Sequence, residues 1–314
     1  MTALLKVIEP GQLTTVQDLG RRGYERFGVP VAGAMDLYAL QAANCLVGNP
    51  PDTAGLEITL AGPRLLATEN CLIAVGGGDL GLQVQKWRLP PWTAIYVRRG
   101  WEISFKGRTS GCRAYLAIAG GIDVPPVMGS CSTYLRGGFG GYGGRALRAG
   151  DILPAGKLAW PLTDRAGQQL PAHILPRYSE NPTLEVILGP QDDMFSRAGI
   201  ETFLSSRYAV GPTSDRMGYR LKGPAIAHKS SADIVSDGIA LGAVQVPPSG
   251  QPIAMLADRQ TTGGYAKIAT IVRADIPLLA QCVPGRDRVS FRVTTVEAAQ
   301  ERYRTMMGEL HRFC

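Results

Sequence analysis

The chain has 314 residues, 45% hydrophobic and 19% charged, which is long enough for a large core and two ordinary domains and too apolar for a disordered chain. Its 33 basic and 26 acidic residues leave a net charge of +7, yet the cations form no run or helical stripe and are not interleaved with aromatics, which argues against nucleic-acid binding. No apolar stretch reaches transmembrane length, residues 1–10 lack the apolar core and cleavage site of a secretory signal, and the six cysteines are widely spaced with no C-x-x-C pair, so a cytoplasmic protein with buried, reduced thiols is expected.

Glycine (39) and proline (22) are both abundant, which favours a turn-dense, mainly β architecture with a few short helices. In chain order, short apolar runs at 4–8, 55–60, 71–75, 94–97, 114–119, 184–188, 253–256 and 268–272 have strand length and turn chemistry on both sides. The first helix is predicted over 35–47, with Asp36 at its N-cap and Gly48 and Asn49-Pro50 as its stop. Gly76, Gly78 and Gly81 fit G-x-G-x-x-G, but the alternating, strand-like segment after them reads as a tight turn and not as a dinucleotide fold. A second glycine cluster, 137–144 followed by Arg145, reads either as a flexible loop or as a mobile lid that brings backbone amides and Arg145 to an anion. The spacing from Gly150 to Lys157 misses a P-loop by one residue and has no Ser or Thr after the lysine.

The proline-rich stretch from Trp160 to Asn181 has little periodicity and is taken as the connection between domains spanning 1–160 and 183–314, with the linker at 161–182. A second helix is expected over 191–204, broken at Gly199. The clearest helix is 296–310. Thr294 and Glu297 form a capping box before it, and Val296, Ala299, Tyr303, Met306 and Leu310 lie on one face.

The polar density lies in the second half. Asp215, Arg216, Tyr219 and Arg220 fall within a few residues of one another. Asp258, Arg259, Gln260, Thr261, Thr262, Gly263, Gly264 and Tyr265 form a second cluster directly after an apolar run, and Gln245 lies between the two. Arginine grips a carboxylate bidentately, glutamine and threonine bond an amide, and aspartate or tyrosine moves protons, so the set suits a small amide or carboxylate substrate. Asp258, Tyr265 and Asp215 are the candidate catalytic groups; Arg216, Tyr219, Arg220, Gln245, Arg259, Gln260, Thr261, Thr262, Gly263 and Gly264 are the candidate substrate contacts. They are expected to converge in the carboxyl-terminal half. An Asp–Arg network that only locks turns together accounts for the spacing equally well. The three histidines form no ligand cluster in sequence, and no metal is expected.

The same residues carry a family resemblance. Thr14 to Arg21 (TTVQDLGR), Gly28-Val29-Pro30, Gly33 to Asp36 (GAMD), Leu46 to Asn49 (LVGN), Gly120-Gly121-Ile122, Ser132-Thr133-Tyr134, Ser214 to Gly218 (SDRMG) and Asp258 to Tyr265 (DRQTTGGY) are similar to the allophanate hydrolase subunit 2 family. That family is also known as the biotin-dependent carboxyltransferase, KipA or 5-oxoprolinase C-subunit (PxpC) family, and the likeness covers nearly the whole chain. The resemblance implies two cyclophilin-like β-barrel domains, one in each half. It implies a KipI-like subunit 1 partner and a LamB/YcsF-like third subunit, acting with ATP, held at or with a partner subunit, to cleave 5-oxoproline to L-glutamate. Related sequences form the part of urea carboxylase in which carboxybiotin donates to urea. This chain has no Met-Lys-Met biotin site, so a carrier would come from elsewhere. A further relative antagonises a KipI-type kinase inhibitor. Two positions depart from the family pattern: Cys131 stands where arginine is expected, and Arg286 is inserted in a Pro-Gly-Asp turn.

Overall fold

Short, β-branched apolar runs punctuated by glycine and proline have too little length for helices, and they pair as strands. A computed structural model describes residues 3–156 and 161–314; Lys157 and Trp160, at the near-miss P-loop spacing and the start of the expected linker, lie outside the described residues. The predicted strands become Ala3–Glu9, Gly55–Thr59, Cys71–Gly77, Ala94–Val97, Arg113–Ile118, Thr183–Leu188, Ile253–Met255 and Lys267–Ile271, their ends moved by a residue or two at most. The fold is mainly β, as expected, with four α-helices among the described residues.

The chain divides into two compact units: Met1–Arg21, Ala32–Arg177 and Gly308–Cys314 form one, and Arg22–Val31 with Tyr178–Met307 form the other. The first contains two sheets, which are open among the described residues. One sheet orders Ile152–Pro154, Ala3–Glu9, Arg64–Ala67, Glu102–Phe105, Leu82–Val84 and Trp87–Arg88; the other orders Leu13–Gln17, Gly55–Thr59, Arg113–Ile118, Cys71–Gly77 and Ala94–Val97. Leu5, Val7, Leu65 and Ile103 from the first share a core with Val16, Leu56, Ile73 and Leu116 from the second. Helix α1 (Leu37–Leu46) supplies Ala43 and Leu46 to a second cluster with Leu72, Ala74 and Ala117. Arg113–Ile118 is therefore buried along its whole length, which explains a continuous apolar run in place of alternation. The Asp36 carboxylate accepts the Ala39 amide at 2.9 Å, and Gly48, at φ 77°, ends the helix, both as the sequence predicts.

One expectation in this unit is borne out and three are corrected. The strand after Gly76 and Gly77 continues into the hairpin of Leu82–Val84 and Trp87–Arg88, which settles the glycine motif as a turn, its Asp79 carboxylate accepting the Gly81 amide at 2.9 Å. The glycine cluster at 137–144 is a packed turn and not a lid: a Cβ on Gly140 would lie 2.1 Å from the Ser132 carbonyl, and one on Gly141 1.9 Å from Thr133 Oγ1. Arg145 is held bidentately by Asp151 at 2.7 and 2.8 Å, so its charge is already matched. The stretch 161–177 is no free linker, because Leu170 N–H donates to the Trp92 carbonyl at 3.0 Å and the Tyr38 hydroxyl to the Ile174 carbonyl at 2.6 Å. Nor are all six cysteines reduced: Cys45, at the end of α1, is disulfide-bonded to Cys314, while Cys71, Cys112, Cys131 and Cys282 are free.

The second unit is built on a closed barrel that runs Thr183–Leu188, Lys267–Ile271, Ala243–Gln245, Ile253–Met255, Gly218–Lys222, Tyr208–Val210 and Arg288–Val293. Thr183–Leu188 and Arg288–Val293 pair in parallel and close it. Phe203, Tyr208 and Phe291 stack at this seam, with Phe203 and Phe291 4.4 Å apart. Phe203 comes from α2 (Arg197–Ser205), whose N-cap Ser196 accepts the Gly199 amide at 3.0 Å. The expected helix over 191–204 is thus a 3-10 turn at Asp192–Met194 followed by α2, and the break precedes Gly199. Gly199 sits inside α2 because a Cβ there would lie 2.3 Å from the Ala227 carbonyl. Helix α3 (Ile276–Ala280) is a short turn, and α4 (Val296–Phe313) is the predicted carboxyl-terminal helix. Its cap is Thr295, whose Oγ1 accepts the Ala298 amide at 3.2 Å, and not Thr294, whose own amide is spent on the Val186 carbonyl at 2.9 Å. Ala299 packs with Val272 and Ala274, alongside Tyr303 and Met306, whereas Val296 is exposed.

Two outcomes follow from this packing. Gly199→Ala should lower stability by about 1–3 kcal/mol through overpacking, although alanine is the better helix former by roughly 1 kcal/mol; denaturant titration reads the sign, and a stabilised variant would remove the close-approach argument. Burial pushes the Cys71 thiol up to about 12, and burial with Asp18 raises that of Cys131. Native protein should therefore react slowly with thiol reagents at about pH 8. Unfolded without reductant it should expose the four free cysteines, and with reductant all six, by alkylation and mass spectrometry.

Candidate functional site

The strands Gly218–Lys222 and Ile253–Met255 pair antiparallel, with Gly218 opposite Met255. Their ladder continues beyond the strands: Leu256 N–H donates to the Met217 carbonyl and Asp258 N–H to the Arg216 carbonyl, both at 2.9 Å. The two polar clusters, some forty positions apart in sequence, therefore meet at one end of the barrel. Arg216 and Asp258 face each other bidentately, Nε to Oδ2 at 3.0 Å and Nη2 to Oδ1 at 2.9 Å, and both are buried. Here the Asp–Arg reading of the spacing is the one the structure builds: each charge satisfies the other, and the pair locks two loops.

The remaining members of the first cluster separate by role. Asp215 is exposed, and its carboxylate accepts the Met217 and Gly218 amides at 2.8 and 3.3 Å, so it holds a turn. Tyr219 is fully buried with its hydroxyl 3.1 Å from the Cys282 carbonyl, a packing position and not a ligand contact. Arg220 is exposed and makes no ion pair among the described residues.

Arg259 differs from Arg216. Its Nε donates to the Ile239 carbonyl at 2.8 Å and its Nη1 to the Leu256 carbonyl at 3.3 Å, and no carboxylate lies within ion-pair distance among the described residues. Burial draws its pKa below the ordinary arginine value; Glu25 opposes that shift and Arg22 adds to it. A guanidinium anchored by carbonyls keeps its positive charge unmatched and its remaining N–H groups available to an anion.

Thr262–Tyr265 pairs with Asp233–Gly238 in a two-stranded ribbon. Gln260, Thr262 and Tyr265 are exposed there, while Thr261, Gly263 and Gly264 are half-buried, and the Thr261 carbonyl accepts the Ile239 amide at 3.0 Å. The glycine pair has a steric purpose. A Cβ on Gly263 would lie 2.5 Å from Ile239 Cδ1, 2.8 Å from Gln245 Nε2 and 3.5 Å from Gln260 Nε2, so its absence lets the two carboxamides approach the ribbon. Gln245 is buried and donates to the Tyr265 carbonyl at 3.4 Å.

The register sets Gln245 opposite Lys267, a residue missed in the sequence reading. Lys267 has a side chain only 3% exposed, and its ammonium lies 3.3 Å from Asp237 Oδ2 on the ribbon. Its backbone N–H donates to Gln191 Oε1 at 3.1 Å. The Gly238 amide first, then Lys267, hold the Asp237 carboxyl below the usual range. The sequence signal was present: a lysine at the head of an otherwise apolar strand, where burial of a charge requires a reason.

With this geometry in hand, comparison with known proteins places the chain. The carboxyltransferase domain, subdomain A and B, family matches residues 27–293. The 5-oxoprolinase C-subunit of Escherichia coli (strain K12) is 39% identical over 312 residues, covering 96% of this chain and 96% of that protein. The urea amidolyase of Lachancea kluyveri is 35% identical over 94% of this chain, which there amounts to 17% of the protein. Among solved structures, the urea amidolyase of K. lactis superposes with a TM-score of 0.93 at 34% identity, over 99% of this chain and 20% of that one. The chain thus belongs to the carboxyltransferase domain, subdomain A and B, family.

Proposed function

We propose that the protein is the C-subunit of a prokaryotic 5-oxoprolinase that cleaves 5-oxoproline to L-glutamate in a complex with a KipI-like and a LamB/YcsF-like subunit. The observation that carries this reading is the end-to-end match to a 5-oxoprolinase C-subunit, 96% of each chain, whereas the urea amidolyase match takes up a small part of a much longer protein. The barrel-end chemistry fits. A lactam is a stable amide, and its opening builds negative charge on the carbonyl oxygen. Arg259 has the unmatched positive charge to stabilise that oxygen. Gln245, Gln260, Thr261 and Thr262 offer amide and hydroxyl partners to the ring, with Gly263 and Gly264 allowing close approach. The exposed Tyr265 hydroxyl is placed to move a proton. ATP, held at or with a partner subunit, supplies the activation a lactam requires. The protein acts in the cytoplasm.

A second reading, transfer of a carboxyl group from carboxybiotin to urea or a similar small amide, is favoured by the TM-score of 0.93 to K. lactis urea amidolyase. Here the biotin carrier comes from another chain, and the same arginine would face the carboxylate in transit. Binding to a KipI-type partner without catalysis has no use for the unmatched Arg259.

Mixing the purified chain with its two partner subunits, 5-oxoproline and ATP should yield glutamate; a rate no higher than without this chain rejects the activity. In the active mixture Arg259→Ala should cut kcat/KM by roughly 10- to 150-fold, the equivalent of about 1.5–3 kcal/mol for a charged hydrogen bond, with folding unaffected. Asp215→Asn should stay within about threefold of wild type, because the amide oxygen still accepts the turn hydrogen bonds. Asp258→Ala strands a buried guanidinium and should destabilise the fold by about 3–5 kcal/mol. Its activity loss should track the unfolded fraction; loss in a fully folded Asp258→Ala protein would return Asp258 to the catalytic set.

A further inference from the structure

Among the described residues, Lys267 is the one buried ammonium, and its surroundings ask for a ligand. Its side chain is 3% exposed, on a barrel strand, and among the described residues its Nζ has a single acceptor, Asp237 Oδ2 at 3.3 Å. An ammonium carries three donors, so two N–H directions are left over. The partner is a surface side chain whose other carboxylate oxygen accepts the adjacent Gly238 amide at 2.6 Å. Asp237 is 57% exposed, lies on the two-stranded ribbon and not on the barrel, and follows a register shift between Asp233 and Asp237. Around the ammonium the groups are amides: Gln245 stands opposite it in the barrel, and Gln191 Oε1 accepts its backbone N–H at 3.1 Å.

A buried ammonium needs an anion, because its lost hydration is not otherwise offset. It does not need this particular anion. Exchange of an exposed side-chain carboxylate for a ligand carboxylate conserves the ion pair and lets the ligand reach the N–H groups that Asp237 leaves idle. Nearby, Gln245 and Gln260 flank Gly263, so a ligand bound through its carboxylate would present the rest of its body to the amide partners.

We propose that Lys267 is the binding site for the carboxylate of a small cyclic amide acid and that Asp237 occupies it as an internal, displaceable stand-in. The identity of the ligand as 5-oxoproline rests on the function proposed above; the carboxylate site itself does not.

Calorimetric titration of the full chain with 5-oxoproline, cyclopentanecarboxylate (carboxylate without lactam) and 2-pyrrolidinone (lactam without carboxylate) tests it. Both carboxylates should bind, and 2-pyrrolidinone should bind at least about tenfold more weakly than 5-oxoproline. Lys267→Met, which keeps length and removes charge, should raise Kd for both carboxylates at least about tenfold. Asp237→Asn, a change at an exposed position that should leave the barrel folded, should lower Kd by about threefold or more, because the internal competitor is gone. The opposite signs decide the matter. If Asp237→Asn weakens carboxylate binding or leaves it unchanged, the pair is a structural salt bridge and the proposal fails. Equal binding of 2-pyrrolidinone and 5-oxoproline also overturns it. Cyclopentanecarboxylate binding through Lys267 with no 5-oxoproline binding upholds the site and counts against the assigned substrate.

Discussion

Arg216 and Asp258 have surrendered their hydration, and each offsets the other's buried charge. A buried guanidinium and a buried carboxylate attract strongly only at hydrogen-bond distance, and here two parallel N–H to oxygen bonds at 3.0 and 2.9 Å set both distance and angle. That requirement fixes the loop before Gly218–Lys222 against the loop after Ile253–Met255. Everything downstream inherits the register: Arg259 follows Asp258 by one residue and is delivered to the Ile239 and Leu256 carbonyls, and the Thr261 carbonyl then binds Ile239 N–H where the ribbon begins. The pair is a frame for the loop that follows it.

The barrel unit sorts its charges by how completely they are matched. Arg302 bridges Glu185 and Asp275 and fastens α4, and the arginines on Glu185 hold its carboxyl below the ordinary range against the opposing effect of burial. Arg216 is matched by Asp258. Against these, Arg259 has carbonyl contacts and only the more distant charge of Glu25, and Lys267 has one exposed carboxylate. Partly compensated charge in a desolvated place is costly to maintain, and structures retain it where a ligand completes the compensation. The +7 net charge of the chain says nothing of this; the local balance does.

Much of the local structure was legible. A run such as 114–119 has strand length and turn residues at both ends, and it is a strand; Asp36 before an apolar helix with Gly48 after it caps and stops that helix. The failures share a cause. Gly199 looks like a helix breaker because propensity counts only its own backbone, whereas its role is to admit the Ala227 carbonyl. The glycines of 137–144 look flexible because nothing local restrains them, yet Gly140 and Gly141 are required by contact with Ser132 and Thr133. Thr294 looks like a cap until the Val186 carbonyl claims its amide. At the barrel end, the motif at 258–265 marked a polar loop but not how its charges are matched, and Lys267 escaped notice because it lies outside the polar cluster.

By itself the sequence determined which segments extend, which turn and which coil, since those depend on periodicity, chain entropy and the stereochemistry of glycine and proline over a few residues. It also determined the family, through motifs spread along the chain. Tertiary structure decided which like-looking groups carry free charge. Arg216 directly follows Asp215 and Arg259 directly follows Asp258, and no local rule separates the two arginines; only the closing of the barrel brings Asp258 to the first and withholds a carboxylate from the second. The joining of Cys45 to Cys314 and the meeting of Lys267 with Asp237 are of the same kind. Coulombic and covalent partners are chosen by distance in space, and distance between remote segments is set by the packing of the whole.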